Sequence, residues 1–544
     1  MSGAFRCAAR SFSQLRDAPT FTRPASIVRI SRSSYRRSKR PHTYQQTRQL
    51  TTETKDWVLS ETRAAIKWTT IAWTALGLGG VIWFGLQLEW AEKENPTPAE
   101  WTFWTRQSLR DARAIYDTRK LNIGNAVDYA GAGLGFAEVL RRLEDDKIDG
   151  QDLDNGGDIY VPGVGTAGVN FSAKSWAWRA GYVETVMSLG KCAENCDELV
   201  LDTTRGIVFS REVIIGPSNP DPRPVPMGSS AAPLEENCIR PLDAPETYYM
   251  RILTGTGFTT KHKLDAALAY ASWLEYQNLH DSAGEMYEWG VDIALRALPD
   301  GIDASRVIDE DSGVLKAGAE TTANILTAST ALAKHHAIVG NVSEALPILL
   351  SVLRARRTAP ISTRRPPSQS LSDYPPPRFS WIWSTLFREP DFTQPPPSGD
   401  TPITRVVEQA TCDDAELMIY IGEILFASAA GKSQTANRDQ GLSWTRQAVS
   451  VAEANLTQDA SIPGSTPRSR ADNQKKCQQC LNTAVGNWET MLERLLEQTH
   501  ATPEKKSWFG RSKGSADHTE ESLLADIARV AVLKDRLVRQ RSAE

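Results

Sequence analysis

The residues of this chain that could do chemistry come in pairs. Cys192 and Cys196 are spaced CxxxC, and Cys477 and Cys480 are spaced CxxC. On a helix each pair shares one face, and in a compartment that permits disulfides such pairs serve as redox couples or metal ligands. A zinc site wants four ligands, and no histidine pair follows either motif at finger spacing. His335 and His336 adjoin inside a helical pattern and read as packing plus exposure. "GAGLGF", Gly131 to Phe136, lacks the GxGxxG spacing and any preceding strand, and "AAGKSQT" has Phe426 where a phosphate loop needs its first glycine. No GxSxG, HExxH or Asp-rich metal loop occurs. The thiols then read as small buried groups at helix interfaces. A redox or metal-dependent enzyme using the paired cysteines stands as a reading of another class, but the expectation is a non-enzyme without cofactor or metal.

The elements around these residues are more informative. From Trp68 to Leu88 no side chain is charged, and about 20 residues at about 1.5 Å each cross a hydrocarbon layer of about 30 Å. Trp68, Trp73, Trp83 and Trp90 include rings at both ends, where amphipathic aromatics favour the membrane–water boundary. A secretory signal would have a shorter apolar run nearer the start.

Before the span, arginines and lysines run from Arg6 to Arg48 against a single acid, Asp17, among many serines. That is the composition of a mitochondrial presequence. Arg63 and Lys67 precede the span and Glu89, Glu92 and Glu94 follow it, so the positive flank is expected in the matrix and the rest in the intermembrane space. The net charge of −4 hides this asymmetry, and the acidic main body offers no nucleic-acid surface.

Beyond the span, helical spacing recurs and strand signals are scarce. "LDAALAYASWLEYQNLHDSAGEMYEWGVDIAL", 264 to 295, reads as two helices joined at Gln277 to Asp281. "NILTASTALAKHHAIVGNVSEALPILLSVLRARR", 324 to 357, turns at Gly340 and Asn341. A shift of 62 residues carries Ala271 onto Ala333, Ala283 onto Ala345 and Tyr287 onto Leu349. Small residues let antiparallel helices approach while large ones fill the gap to the next pair, the arithmetic of a tetratricopeptide repeat. "DDAELMIYIGEILFASAAG", "CQQCLNTAVGNWETMLERLLEQ" and a charged closing helix, "TEESLLADIARVAVLKDRLVRQ", extend the pattern. Proline excludes helix from 214–233 and 364–402, the latter enclosing the aromatic island "WIWSTLF", expected first to plug a groove, with a dip into the membrane surface or a docked partner as the alternatives.

The layout, with "RGIVFSREVIIGPSNPDPRPVP", "KLDAALAYASWLEY" and "YIGEILFASA", resembles the fungal adaptor subunits of the mitochondrial inner-membrane i-AAA protease over roughly residues 68 to 500. The resemblance implies a non-catalytic partner that binds unfolded or misfolded membrane proteins and passes them to the protease ring. Repeat register makes Ser272, Glu275 and Lys334 candidate substrate-groove residues. An assembly scaffold for another inner-membrane complex is the alternative within the same compartment.

The expected fold is all-α, a divergent tetratricopeptide-repeat superhelix with one N-terminal transmembrane helix and a disordered presequence. Its divisions are 1–52 presequence, 53–67 basic flank, 68–88 span, 96–213 degenerate repeats, 214–245 Pro-rich connection, 246–358 repeats, 359–404 Pro-rich insert, and 405–544 C-terminal repeats with a cap.

Overall fold

The computed structural model describes residues 52–117, 127–153, 159–161, 165–225, 227–299, 301–309, 312–361, 398–405, 409–428, 434–458, 467–501 and 520–543. The presequence up to residue 51, the "WIWSTLF" island and Gly431 of "AAGKSQT" lie outside them. The described residues are mostly helical and divide into two compact units.

The first unit takes in the chain up to Gly135 and residues Cys196–Leu242. Helix α1, Thr52–Glu94, is 43 residues long and contains a stretch long and apolar enough to cross a membrane, none of it covered by protein. The hydroxyls of Thr70 and Thr74 donate to the carbonyls of Ile66 and Thr70, at 2.8 and 2.7 Å, so these polar groups are satisfied within the helix itself. Helix α2, Phe103–Tyr116, buries Thr105, Leu109 and Ala112. A Cβ at Gly135 of helix α3, Tyr129–Glu144, would lie 3.0 Å from that of Ala112. The glycines of "GAGLGF" therefore sit inside a helix, and Gly135 serves helix packing.

The expectation of an all-α chain needs correction here. Strands β3, Leu199–Asp202, and β4, Ile207–Ser210, form an antiparallel hairpin, and β5, Cys238–Ile239, pairs with the other edge of β3. Each longer strand opens on three apolar residues, Leu199, Val200 and Leu201 in β3 and Ile207, Val208 and Phe209 in β4, and Gly206 supplies the left-handed turn residue, φ 65°, that joins them. Asp202, buried at the turn, accepts from the Thr204 amide and hydroxyl and pairs with Arg205 at 2.6 Å. Its carboxyl is held down at about 2, first by the Thr204 hydroxyl and then by Arg205, against the opposing effect of burial. The divisions expected as degenerate helical repeats and as a Pro-rich connection thus contain a small sheet.

The second unit comprises Phe136–Asn195, Asp243–Tyr374 and Thr393–Glu544. A short hairpin, β1 Ile159–Val161 with β2 Gly165–Ala167, precedes helix α4, Trp176–Asn195. Helix α5, Pro245–Thr254, starts on a proline, whose missing N–H costs nothing at that position. Phe171, Trp178, Tyr182 and Phe258 stack into one aromatic cluster with centroid separations of 4.6 to 6.0 Å.

Two helical hairpins follow, separated by the short α8, Ala304–Val307. The first is α6, Thr260–Tyr276, with α7, His280–Arg296; the second is α9, Ala323–Val339, with α10, Val342–Thr358. Thr259 and Thr322 cap the first helix of each by accepting from the amide three residues on. The turns are made by Asn278, φ 61°, and Gly340, φ 95°. Ala271, Ala333, Ala283, Ala345 and Leu349 are fully buried, and Tyr287 nearly so, the positions related by the 62-residue shift. The tight spacing continues in α11, Cys412–Ala427, against α12, Gln434–Gln458, where Gly422 and Gly441 cross backbone on backbone. Helices α13, Pro467–Ala501, and α14, Glu520–Ala543, end the chain.

Candidate functional site

The most connected polar ground in the second unit is the seam between successive first helices, α6, α9 and α11. Glu275, in the last turn of α6, accepts from the Tyr287 hydroxyl at 3.3 Å and meets His335 Nδ1 of α9 at 2.9 Å. The His335 ring lies 5.2 Å from that of Tyr287, with Nε2 3.1 Å from where a Cβ on Gly284 would stand. A Cβ there would press on the imidazole, which would have to give by a few tenths of an ångström. Burial, and then the neighbouring Glu275 carboxylate, push the Tyr287 phenol well above its ordinary value, so it stays a donor.

One residue before His335, Lys334 reaches toward α11. Its ammonium is 3.4 Å from Glu416 Oε1 and 4.0 Å from the Tyr420 ring centroid, and the Tyr420 hydroxyl donates to Glu416 at 3.1 Å. His336 pairs with Glu344 of α10 at 3.2 Å. Further along, Arg356 of α10 meets Asp413 and Asp414 of α11 at 2.6 and 3.0 Å, and Lys476 of α13 pairs with the same Asp413. Burial opposes ionisation of Asp413, but Lys476 and Arg356 outweigh it and hold the carboxyl below its usual value.

Of the three groove candidates, Ser272 alone is an exposed side chain. Glu275 and Lys334 are brought to the same seam but are engaged in joining one hairpin to the next. Repeat register finds their positions; it does not show that their partners sit on the following hairpin.

The cysteines differ from the pairing that local spacing suggests. Cys477 forms a disulfide with Cys412, the first residue of α11, across 65 residues of sequence. Cys480 remains a buried thiol whose Sγ donates to the Cys412 carbonyl at 3.8 Å. Burial pushes that thiol up to about 11, so it is protonated at neutral pH and is not a poised nucleophile. Cys192 and Cys196 also remain buried thiols. Among the described residues no group of three or more His, Cys, Asp or Glu side chains is placed to hold a metal ion.

A polar cavity of about 230 Å³ lies among α3, α4 and α5, lined by Glu144, Phe171, Tyr182 and Arg251 among others. Glu144 accepts from the Tyr182 hydroxyl at 3.0 Å and pairs with Arg251. Burial first, then the Glu144 charge, keep the Tyr182 phenol far from ionisation. Carboxylate, phenol and guanidinium thus satisfy one another, and the cluster clamps three helices.

No protein-family model, no curated protein and no solved structure matches the chain.

Proposed function

We propose that this chain is a membrane-anchored, non-catalytic adaptor. It is a divergent tetratricopeptide-repeat protein, held by one transmembrane helix in the mitochondrial inner membrane, that captures unfolded or misfolded membrane proteins and delivers them to the i-AAA protease. The observation that carries the repeat reading is the pair of hairpins α6/α7 and α9/α10, with equal small residues buried at equal positions and first helix bonded to first helix through Glu275 and His335. Such stacking builds a face from successive first helices, the surface on which solenoid repeats take peptide segments. The bare apolar length of α1 supports the anchor. The engagement of every polar cluster described above in packing supports binding over catalysis, and the protease link rests on the sequence resemblance.

The test is protease protection of a C-terminally tagged chain in intact mitochondria and then in mitoplasts, joined to affinity purification in mild detergent. Protection in the first, digestion in the second and copurification with the protease ring are expected. A tag still protected in mitoplasts would place the repeats in the matrix and sink the proposal; correct topology without the ring would turn it toward an assembly scaffold.

A further inference from the structure

The junction between α1 and α2 is built as a clamp. Glu92, near the end of α1, is 3% exposed, and the Thr97 amide and hydroxyl donate to its Oε1 at 2.7 and 2.9 Å. Arg106 of α2 meets the same carboxylate at 3.1 Å and donates through Nε to the Thr97 hydroxyl at 2.9 Å. Arg110, one turn on, pairs with the other carboxylate oxygen, and Arg113 donates to the Asn95 carbonyl at 3.2 Å. A buried carboxylate with two guanidiniums and a backbone amide holds its partners in one geometry. The chain therefore leaves α1 through a fixed elbow and not through a free linker.

Arg113 reaches Asn95, past the last turn of α1, while Arg110 reaches Glu92 and Arg106 reaches both Glu92 and Thr97. The first turn of α2, which ends on Arg106, is thereby held beside Glu92. That turn carries Phe103 and Trp104, 49% and 66% exposed, their rings edge to face at 5.4 Å. Trp90, on α1 just before Glu92, is 59% exposed. Three large aromatic rings stand bare around one clamp, while Trp101 beside them is buried.

We infer that this elbow is a second membrane contact: Phe103 and Trp104, with Trp90, lie in the headgroup layer of the bilayer that α1 crosses. The inference rests on the membrane reading of α1 and extends it. Aromatic rings favour that layer, and those of Phe103 and Trp104 stand within one turn of Arg106, which is bonded to Glu92 just past the apolar stretch, so the lipid surface is the occupant their position and chemistry fit. The clamp then sets α2 against the membrane at a fixed height.

The test uses the full chain in phosphatidylcholine vesicles, with an environment-sensitive fluorescent amino acid at Leu78 in one preparation and at Trp104 in another. Lipids carry a nitroxide quencher either at the headgroup or at the acyl terminus. Expected are stronger quenching of the Leu78 probe by the deep nitroxide, and quenching of the Trp104 probe by the shallow nitroxide more than about twofold over the deep one. A quenched Leu78 probe with an unquenched Trp104 probe overturns the elbow contact and leaves the span standing. Two unquenched probes overturn the span, and the elbow contact with it.

Discussion

Cys477 is bonded to Cys412 at the start of α11, although Cys480 lies three residues along its own helix. The bridge ties the first turn of one helix to the first third of another, beside the Lys476–Asp413 ion pair. Closing a loop of 65 residues stabilises by about 2–4 kcal/mol, mainly by restricting the unfolded chain. Cys412→Ser and Cys477→Ser are each expected to lower the thermal midpoint of the detergent-solubilised chain, and Cys480→Ser to shift it far less. Peptide mapping without reductant should recover the 412–477 linkage; a 477–480 linkage would show that local spacing governs after all.

Where α11 crosses α12, a Cβ on Gly422 would stand 2.6 Å from the Thr445 hydroxyl and 2.9 Å from the Gly441 carbonyl. Backbone has no room to give, so Gly422→Ala is expected to cost about 2–3 kcal/mol. At Gly290 the nearest atoms are leucine methyls at 3.4 Å, and alanine is a better helix former by about 1 kcal/mol. Gly290→Ala should hold or slightly raise the denaturation midpoint, and an equal loss at both sites would contradict the packing described.

His335→Ala removes the partner of a mostly buried carboxylate and leaves Glu275 with the Tyr287 hydroxyl. The expected loss is about 1.5–3 kcal/mol. Because the two residues act together, Glu275→Ala combined with His335→Ala should cost less than the sum of the single changes. Additive losses in a double-mutant cycle would mean the seam is incidental. Exposed Ser272 offers the contrast: Ser272→Arg should weaken capture of unfolded substrate while leaving the thermal midpoint alone.

Asp202 gives a pH prediction. Its folded value of about 2 lies below the ordinary 3.8, so its contribution is complete above 3.8 and is lost as pH falls from 3.8 through 2. Amide exchange along β3 and β4 should be faster in Asp202→Asn than in the natural chain at neutral pH, and the difference should close as the acid window is crossed. A difference that persists unchanged to pH 2 would mean the carboxylate's charge is not what the turn uses.

The hairpins were legible because their signal is local. Alanine and glycine at helix crossings, and Asn278 or Gly340 at the turns, speak within a single stretch of sequence. The sheet was less legible: β3 and β4 are four residues each, β5 is two, and proline-rich sequence surrounds them. The seam and the disulfide were not legible at all. Glu275 and His335 are 60 residues apart and Cys412 and Cys477 are 65 apart, and no periodicity within one helix says which later helix it will meet. The same gap makes a paired-cysteine motif look self-sufficient when one member belongs to another helix.

The spacing of the seam also sets an order of assembly in time. Glu275 waits 60 residues for His335, Lys334 waits 82 for Glu416, and Arg356 waits 58 for Asp414. As the chain is made from its N-terminus, each hairpin can close on itself at once, but its exposed edge is covered only when the next hairpin has emerged. A growing chain therefore always carries one unfinished, sticky end. α14 is the last such cover, so a chain broken before it would have folded hairpins and still be prone to aggregate.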